Sequence, residues 1–387
     1  MKKLFACIVF LIIITTGCKE KYIPAIISAT TNYLVVEGFI SSGSQPTTIT
    51  LTRTTRLYDS AIIVYEHNAV VNIESENNQV FPLTENGNGV YISSSLNLNA
   101  NEKYRLQIKT QDGKEYVSDF LKVKHTPAID SISWLREDGG LRLYINTHDP
   151  QNNTGYYQWK YEETWEVHSA YESSLIYSLD PLTHVVTGIE FRYPVTRAID
   201  TSIIKCWQSN NSTTIILGTS EKLTTDKIYL PLLSIEPASE KLSVLYSIKV
   251  SQYALSQEAY KFLQKIKRNT EQLGSLFDPQ PSALQGNIHC TTNPAELVVG
   301  YIDITEENQQ RIFISNSDVP GWNYNTPCKS IVISNNLDSI NKYGQNLTPT
   351  IPFLSMGANV ISFSAANSLF CVDCTVRGTN IRPSFWP

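Results

Sequence analysis

Residues 103–123 read Lys103-Tyr-Arg-Leu-Gln-Ile-Lys109, then Thr110-Gln-Asp-Gly113, then Lys114-Glu-Tyr-Val-Ser-Asp-Phe-Leu-Lys-Val123. In the first run the apolar Tyr104, Leu106 and Ile108 alternate with polar residues, which is the period-two pattern of a half-buried strand. Asp-Gly between two such runs is a strong signal for a tight hairpin turn. The stretch therefore predicts two antiparallel strands, and a mainly β fold.

Similar short runs rich in β-branched and aromatic residues precede this hairpin, at residues 33–40, 47–53, 69–74 and 89–92. About seven strands in roughly ninety residues is the spacing of an immunoglobulin-like sandwich. Pro127 then interrupts the pattern, because proline cannot donate a hydrogen bond to a sheet and restricts the residue before it. We expect an immunoglobulin-like β-sandwich over residues 32–125.

The rest of the chain, residues 126–387, predicts a larger domain that resembles a fibronectin type III sandwich with insertions. Strand patterns occur at residues 129–135, 141–146, 155–165, 242–252, 296–304 and 310–315. We expect the last two to form a hairpin that completes this second sandwich. Residues 166–245 fit no compact pattern and are interpreted as an insertion, and the cysteine-bearing tail from Trp322 is expected to wrap around the domain.

One helix is predicted near residues 256–272. Ser256 can cap its first turn, and Ala259, Phe262, Leu263 and Ile266 recur at spacings of three and four, which makes an apolar stripe. A helix that covers a sheet is the simpler interpretation, and a partner-binding helix is the alternative.

Residues 1–17 have the pattern of a secretory signal peptide: a basic start, an apolar run and a small-residue exit at Gly17. The apolar run is shorter than the roughly twenty residues of a membrane-spanning helix. Cys18 directly after Gly17 predicts a lipidation site, since acyl chains on this residue would anchor the protein. Residues 18–31 then read as a tether. The alternative is an ordinary cleaved signal with an incidental cysteine.

The composition excludes a nucleic-acid partner. The formal net charge is −5, and lysines and arginines are scattered along the chain rather than clustered. Hydrophobic residues make up 42% of the chain, which is enough for packed cores.

Five cysteines remain after Cys18, and we treat all five as disulfide candidates: Cys206, Cys290, Cys328, Cys371 and Cys374. In an oxidising compartment they should pair, but an odd number allows at most two bridges and leaves one thiol. A bridge from Cys328 to Cys371 or Cys374 is favoured, because all three lie close together in the sequence.

The sequence nominates no catalytic residue, metal site or cofactor. It contains neither Gly-x-Ser-x-Gly nor His-Glu-x-x-His, and its six histidines are dispersed. Cys371-Val-Asp-Cys374 has no second ligand pair for zinc, so disulfide pairing is the better interpretation. The polar turn 148–153 lacks the spaced carboxylates of a calcium loop. We therefore expect a protein that is not an enzyme.

The aromatic strand 155–165 allows a second interpretation. Exposed aromatic side chains bind sugars, and this strand contains Tyr156, Tyr157, Trp159, Tyr161 and Trp165. Because alternation buries one side of a strand, core packing explains at least half of them.

Several motifs together resemble one family. They are Gly17-Cys18, Asn32-Tyr-Leu-Val-Val-Glu-Gly38, Asp112-Gly-Lys-Glu-Tyr-Val-Ser-Asp119, Ile129-Asp-Ser-Ile-Ser-Trp134, Gly286-Asn-Ile-His-Cys290, Cys371-Val-Asp-Cys-Thr-Val-Arg-Gly-Thr-Asn380 and Pro383-Ser-Phe-Trp386. This set resembles a Bacteroidota outer-membrane lipoprotein family known as a domain of unknown function (four-two-four-nine). The resemblance covers nearly the whole mature chain.

The resemblance implies a location and a partner. Such proteins are lipid-anchored in the outer membrane and are often encoded beside TonB-dependent β-barrel receptors. Lys19-Glu20 after the anchor favours exposure at the cell surface over the periplasmic face. We therefore expect a non-catalytic accessory subunit of such a receptor, for substrate capture, gating or scaffolding. The alternative is a self-sufficient surface binding or adhesion module for glycan or protein.

Overall fold

The structure is a computed structural model, and it describes residues 32–55, 63–271, 286–343 and 346–387. These residues fold mainly as β-strands, so the predicted fold class is confirmed. They build two β-sandwiches and a smaller three-stranded unit. The predicted signal peptide, Cys18 and the tether lie outside the described residues.

The N-terminal sandwich begins with nine strands. They are β1 (Leu34–Ser41), β2 (Pro46–Arg53), β3 (Val64–Tyr65), β4 (Val70–Ser75), β5 (Val80–Glu85), β6 (Val90–Ser95), β7 (Lys103–Lys109), β8 (Glu115–Ser118) and β9 (Leu121–Lys122). β7 and β8 form the antiparallel pair predicted from the sequence, with Lys109 opposite Glu115. Tyr104, Leu106 and Ile108 are buried in the core between the two halves of the curled sheet.

The second sandwich packs a three-stranded sheet on a five-stranded sheet. The first contains β10 (Ile129–Glu137), β11 (Gly140–His148) and β17 (Lys227–Ile235); the second contains β12 (Tyr156–His168), β15 (Lys205–Asn211), β16 (Ile216–Thr219), β18 (Leu245–Ala254) and β22 (Glu307–Ser315). Leu143, Trp159 and Ile248 lie in the core between them. Residues 205–235 thus contain three strands that belong to the sheets of the second sandwich. The prediction that residues 166–245 form one long insertion is therefore wrong for this part of the chain.

Residues 288–305 belong to the N-terminal sandwich, which corrects the predicted hairpin with 310–315. β19 (Ile288–Cys290) pairs with β8, and β20 (Val298–Val299) and β21 (Ile304–Thr305) pair in parallel with β1. The N-terminal sandwich thus contains two separate chain segments, and the boundary drawn between 32–125 and 126–387 does not hold. The apolar pattern located strands correctly, but it carries no information on which sheet they join.

A third unit lies beyond the second sandwich. Its strands are β23 (Ser330–Ser334), β24 (Thr348–Leu354) and β25 (Val360–Ala366), with helix α2 (Leu337–Tyr343) and the hairpin of β13 (Leu175–Leu179) and β14 (Val186–Phe191). Leu175, Ile333 and Phe363 share its core. The tail from Trp322 therefore contains a sheet of its own before its last twenty or so residues cross the second sandwich.

Helix α1 (Gln257–Glu271) confirms the predicted helix. The Ser256 hydroxyl accepts a hydrogen bond from the Ala259 amide at 3.1 Å, and Ala259 and Phe262 are buried. In the described part of the chain, neither helix combines the length and the apolar composition needed to cross a bilayer.

Asn287 should stabilise the packing of residues 288–305 in the N-terminal sandwich. Its side chain is buried and bridges Ile302, donating to the carbonyl at 2.9 Å and accepting from the amide at 3.0 Å. Asn287→Ala leaves both backbone groups buried without partners, so the free energy of unfolding should fall by about 2–4 kcal/mol in urea denaturation. The exposed Asn101→Ala control should change it by less than about 0.5 kcal/mol. Equal effects of the two variants would contradict this account.

Candidate functional site

A cleft of about 520 Å³ lies where the two sandwiches meet helix α1. Its floor is strand β12 of the second sandwich, and its walls are strand β1, residues 299–301, helix α1 and the loop 212–215. A smaller cavity of about 250 Å³ lies on the other side of Lys160 and shares Glu37, Gly38 and Phe39 with the cleft. We call the larger cavity the Lys160 cleft.

The alternation of β12 places two polar side chains on the cleft floor. Tyr157 and Trp159 point into the core of the second sandwich and are fully buried. The indole of Trp159 donates to Gln252 at 2.7 Å, which satisfies its only polar atom. Because neighbouring side chains in a strand point to opposite faces, Gln158 and Lys160 lie on the outer face, toward the cleft.

The wall formed by β1 also joins the two sandwiches. Phe39 stacks on Tyr253 of β18, with ring centroids 4.9 Å apart and an interplanar angle of 15°. Gly38 precedes it with a φ of +137°, and a Cβ there would lie 2.3 Å from the Thr48 carbonyl oxygen. Only glycine permits this local shape. The distortion lies directly beside Glu37 and Phe39, the two β1 side chains nearest Lys160.

Helix α1 supplies an apolar wall and is attached at both ends. At its start the Ser256 amide donates to Asp303 at 2.7 Å, and burial raises the pKa of that carboxyl. At its end Lys267 donates to the Ile215 carbonyl and Glu271 accepts from the Ile215 amide, both at 2.6 Å. These contacts attach the helix to residues 301–304 and to the loop 212–215. They therefore fix the positions of three of the segments that surround the cleft.

Lys160 is the distinctive group of the cleft. It is exposed to the cleft, and its ammonium makes no ion pair or side-chain hydrogen bond with any residue in the described ranges. It lies 5.6 Å from the centre of the Phe39 ring and 6.0 Å from that of Tyr253. The crowding protein removes water and lowers the pKa of Lys160, while the charges of Glu37 and Glu307 oppose that change.

Gln158 is the second unusual polar group. Its side chain is 6% exposed, and its Oε1 has no hydrogen-bond partner among the described residues. A buried amide without a partner costs about 1–3 kcal/mol. The cleft thus contains one cation without a counterion among the described residues, Lys160, and one amide whose oxygen is unpaired, Gln158.

Chemically, the arrangement suits binding. The residues around the cleft include one lysine, one glutamate, one glutamine and several small hydroxyls among apolar side chains, with neither histidine nor cysteine. Within the described ranges, five histidines pair with a carboxylate elsewhere: His67, His125, His148, His168 and His289. No group of three or more metal-ligating side chains occurs among the described residues.

The five cysteine candidates form two bridges outside the cleft. Cys206 pairs with Cys374, and Cys328 pairs with Cys371, which is one of the two favoured pairings. Cys290 is a buried free thiol in β19. The bridges hold the C-terminal residues against the second sandwich and against the third unit.

Two further sequence candidates are structural. In the turn 148–153, Asp149 accepts from the amides of Gln151 and Asn153 at 2.9 Å each, so its carboxylate orders the turn. Of the aromatic residues in β12, Tyr157, Trp159 and Trp165 are buried in the core. Lys160 lies in the same strand, and the sequence gives no signal for it, since one lysine among aromatic residues is typical of an ordinary exposed position.

The fold and cleft define a mainly β protein of two interlocked sandwiches with a disulfide-bonded C-terminal region. The family described as "Domain of unknown function (DUF4249)" matches residues 19–311, which is more than half of the chain. The chain therefore belongs to this family. No curated protein matches it.

Among solved structures, the chain is similar to one described as "Complete structure of manganese lipoxygenase of Gaeumannomyces graminis and partial structure of zonadhesin of Komagataella pastoris". The match is 8% identical, covers 59% of this chain and 91% of that chain, and has a TM-score of 0.18. A likeness this weak carries no argument about fold or function.

The two bridges should contribute unequally to stability. Cys206–Cys374 spans 168 residues of sequence and Cys328–Cys371 spans 43. Because a cross-link over a longer loop restricts the unfolded chain more, the Cys206→Ala/Cys374→Ala variant should lose about 2–4 kcal/mol in guanidinium unfolding. The matched Cys328→Ala/Cys371→Ala variant should lose less. The reverse order would show that local packing, not loop length, dominates.

Lys160 should destabilise the free protein at neutral pH. Because its pKa is lowered in the folded protein, the unfolded chain binds the proton of Lys160 more tightly than the folded chain does. The resulting loss of folding stability is complete at pH values below the pKa of Lys160 in the folded protein. The penalty disappears as the pH rises toward the ordinary lysine value of about 10.4. Lys160→Met should therefore unfold at a higher temperature than the wild type at pH 7, and calorimetry should show the difference shrinking toward pH 10.

Lys249→Met is the matched control for this experiment. Lys249 lies on the same sheet face but pairs with Glu162 at 3.2 Å, so its loss should be neutral or slightly destabilising. A Lys160→Met effect that stays constant from pH 7 to pH 10 would rule out titration of Lys160 as its cause.

Proposed function

We propose that this protein is a lipid-anchored outer-membrane protein that acts as an accessory subunit of a TonB-dependent receptor and captures a ligand in the Lys160 cleft. The observation that carries the capture role is the ammonium of Lys160, which has no ion pair among the described residues, beside the unpaired amide oxygen of Gln158 in a cleft of about 520 Å³ between two sandwiches. Pockets at domain interfaces with a few polar groups among apolar walls are typical binding sites.

The disulfides support a location outside the cytoplasm. Such bridges persist in oxidising compartments, and this chain has two of them. The sequence Gly17-Cys18 at the end of an apolar segment supports attachment through acylated Cys18. An acylated chain in that envelope would lie on the membrane that contains the proposed receptor.

An exposed apolar face on the third unit supports a protein partner. Val332 and Phe353 are exposed on one face of its three-stranded sheet, because their partners in β25, Ser364 and Ser362, lie two residues apart. Met356 lies fully exposed in the turn between β24 and β25. Clusters of exposed apolar side chains are typical of interaction surfaces. This face is separate from the residues that line the cleft, so both can be occupied together.

The alternative is a self-sufficient surface binding or adhesion module. One observation favours it: this chain by itself forms a cleft of ligand size, with walls from both sandwiches and helix α1. The two functions predict different results when the protein is isolated from its membrane.

Affinity purification tests the accessory role. The protein with a C-terminal tag should recover a TonB-dependent receptor in near-equal amount from detergent-solubilised outer membranes, as measured by quantitative mass spectrometry. Cys18→Ser, which removes the acylated thiol, should leave the protein in the soluble fraction and reduce recovery of the receptor. Repeated purification of intact, acylated protein without a receptor would overturn the proposal and favour the self-sufficient module.

A further inference from the structure

We infer that the Lys160 cleft takes an amphipathic monoanion, a ligand with a flexible apolar body and a single carboxylate that pairs with Lys160. This inference rests on the proposed capture function and specifies its ligand class. It combines three observations: the isolated cation, the apolar walls and the free amide on the floor.

The charges around Lys160 indicate that the head group of the ligand carries a single negative charge. One anionic oxygen beside the ammonium would supply the counterion that the described residues do not supply, and it would offset the desolvation of the amine. Glu37 and Glu307 stand close enough to act on the same amine, so a second negative charge on the ligand would meet repulsion. A single charge therefore fits better than a phosphate cluster or another polyanion.

The body of the ligand follows from the walls. Helix α1 presents Phe262, Leu263 and Ile266, and Val35 and Tyr301 face them from the N-terminal sandwich. Burial of apolar surface stabilises a complex by about 25 cal/mol per Å². The cleft volume of about 520 Å³ is within the range of about 300–1,000 Å³ that small ligands occupy.

Gln158 can hold the head group from a second side. Its amide can present either its oxygen or its NH₂, because the two orientations have the same shape. With the NH₂ toward the ligand, it donates to the carboxylate that Lys160 neutralises. A sugar fits less well, because the aromatic rings of the cleft pack on other rings: Phe39 stacks on Tyr253, and Phe262 lies 5.8 Å from Tyr301 between ring centroids.

Calorimetric titration with dodecanoate tests the inference. The mature chain carrying Cys18→Ser is used, so that no detergent competes for the probe. Saturable binding of one dodecanoate per chain is expected, with dodecanol and dodecyltrimethylammonium at least tenfold weaker. Equal affinity for dodecanoate and dodecanol, or no binding of dodecanoate, would overturn the inference.

Two variants and one control locate the site. Lys160→Met should weaken dodecanoate at least tenfold and leave dodecanol unchanged, whereas Lys249→Met should bind dodecanoate like the parent chain. Leu263→Trp narrows the cleft without touching a charge, and it should weaken both probes. If Lys160→Met does not unfold cooperatively, Leu263→Trp decides: unchanged binding of dodecanoate would place the ligand elsewhere and overturn the inference.

Receptor recovery separates this result from the accessory proposal. Recovery of the receptor by a protein that fails to bind dodecanoate overturns the ligand class and leaves the accessory role intact. Binding of dodecanoate at Lys160 without a receptor supports the ligand class and overturns the accessory role.

Discussion

Parallel pairing of β1 with residues 298–305 is the contact on which the cleft depends. The chain therefore crosses between the sandwiches three times: near Pro127, between helix α1 and β19, and at Glu306 between β21 and β22. Gly300 permits this pairing, because a Cβ at its φ of +150° would lie 2.3 Å from the Val36 carbonyl oxygen. With three crossings, the sandwiches cannot hinge on a single linker. The cleft between them is therefore built with fixed walls, which lowers the ordering cost of binding.

The outer face of the five-stranded sheet shows how unusual Lys160 is. Two strand positions along β12, Glu162 accepts from Lys249 and from Arg311, both at 3.2 Å, so charges are balanced there. Lys160 lies on the same face opposite Ser251 of β18 and has no such partner in the described part of the chain. Proteins depart from full polar pairing mainly at functional sites, at a cost in stability. In the proposed function, the group that destabilises the free protein is also the group that selects the charge of the ligand.

Local features were predictable from the sequence, and long-range ones were not. Alternation at Tyr104, Leu106 and Ile108 identified a strand, and the stripe from Ala259 identified helix α1, because both depend only on neighbouring residues. The same alternation at 296–304 could not show that these strands return to β1, since either core would bury them equally well. Cys206–Cys374 joins residues 168 apart, a distance over which sequence spacing carries no information.

The C-terminal tail and the N-terminal sandwich both pack on the outer face of the five-stranded sheet. Trp386 donates to Glu166 at 3.1 Å, and Phe385 lies under Arg311 with 3.6 Å between the guanidinium carbon and the ring centre. These contacts cover one end of the outer face, and the Cys206–Cys374 bridge holds the tail there. The N-terminal sandwich covers the other end through Phe39. Lys160 lies between these two covered ends of the face, and the disulfide fixes one of them without touching the cleft.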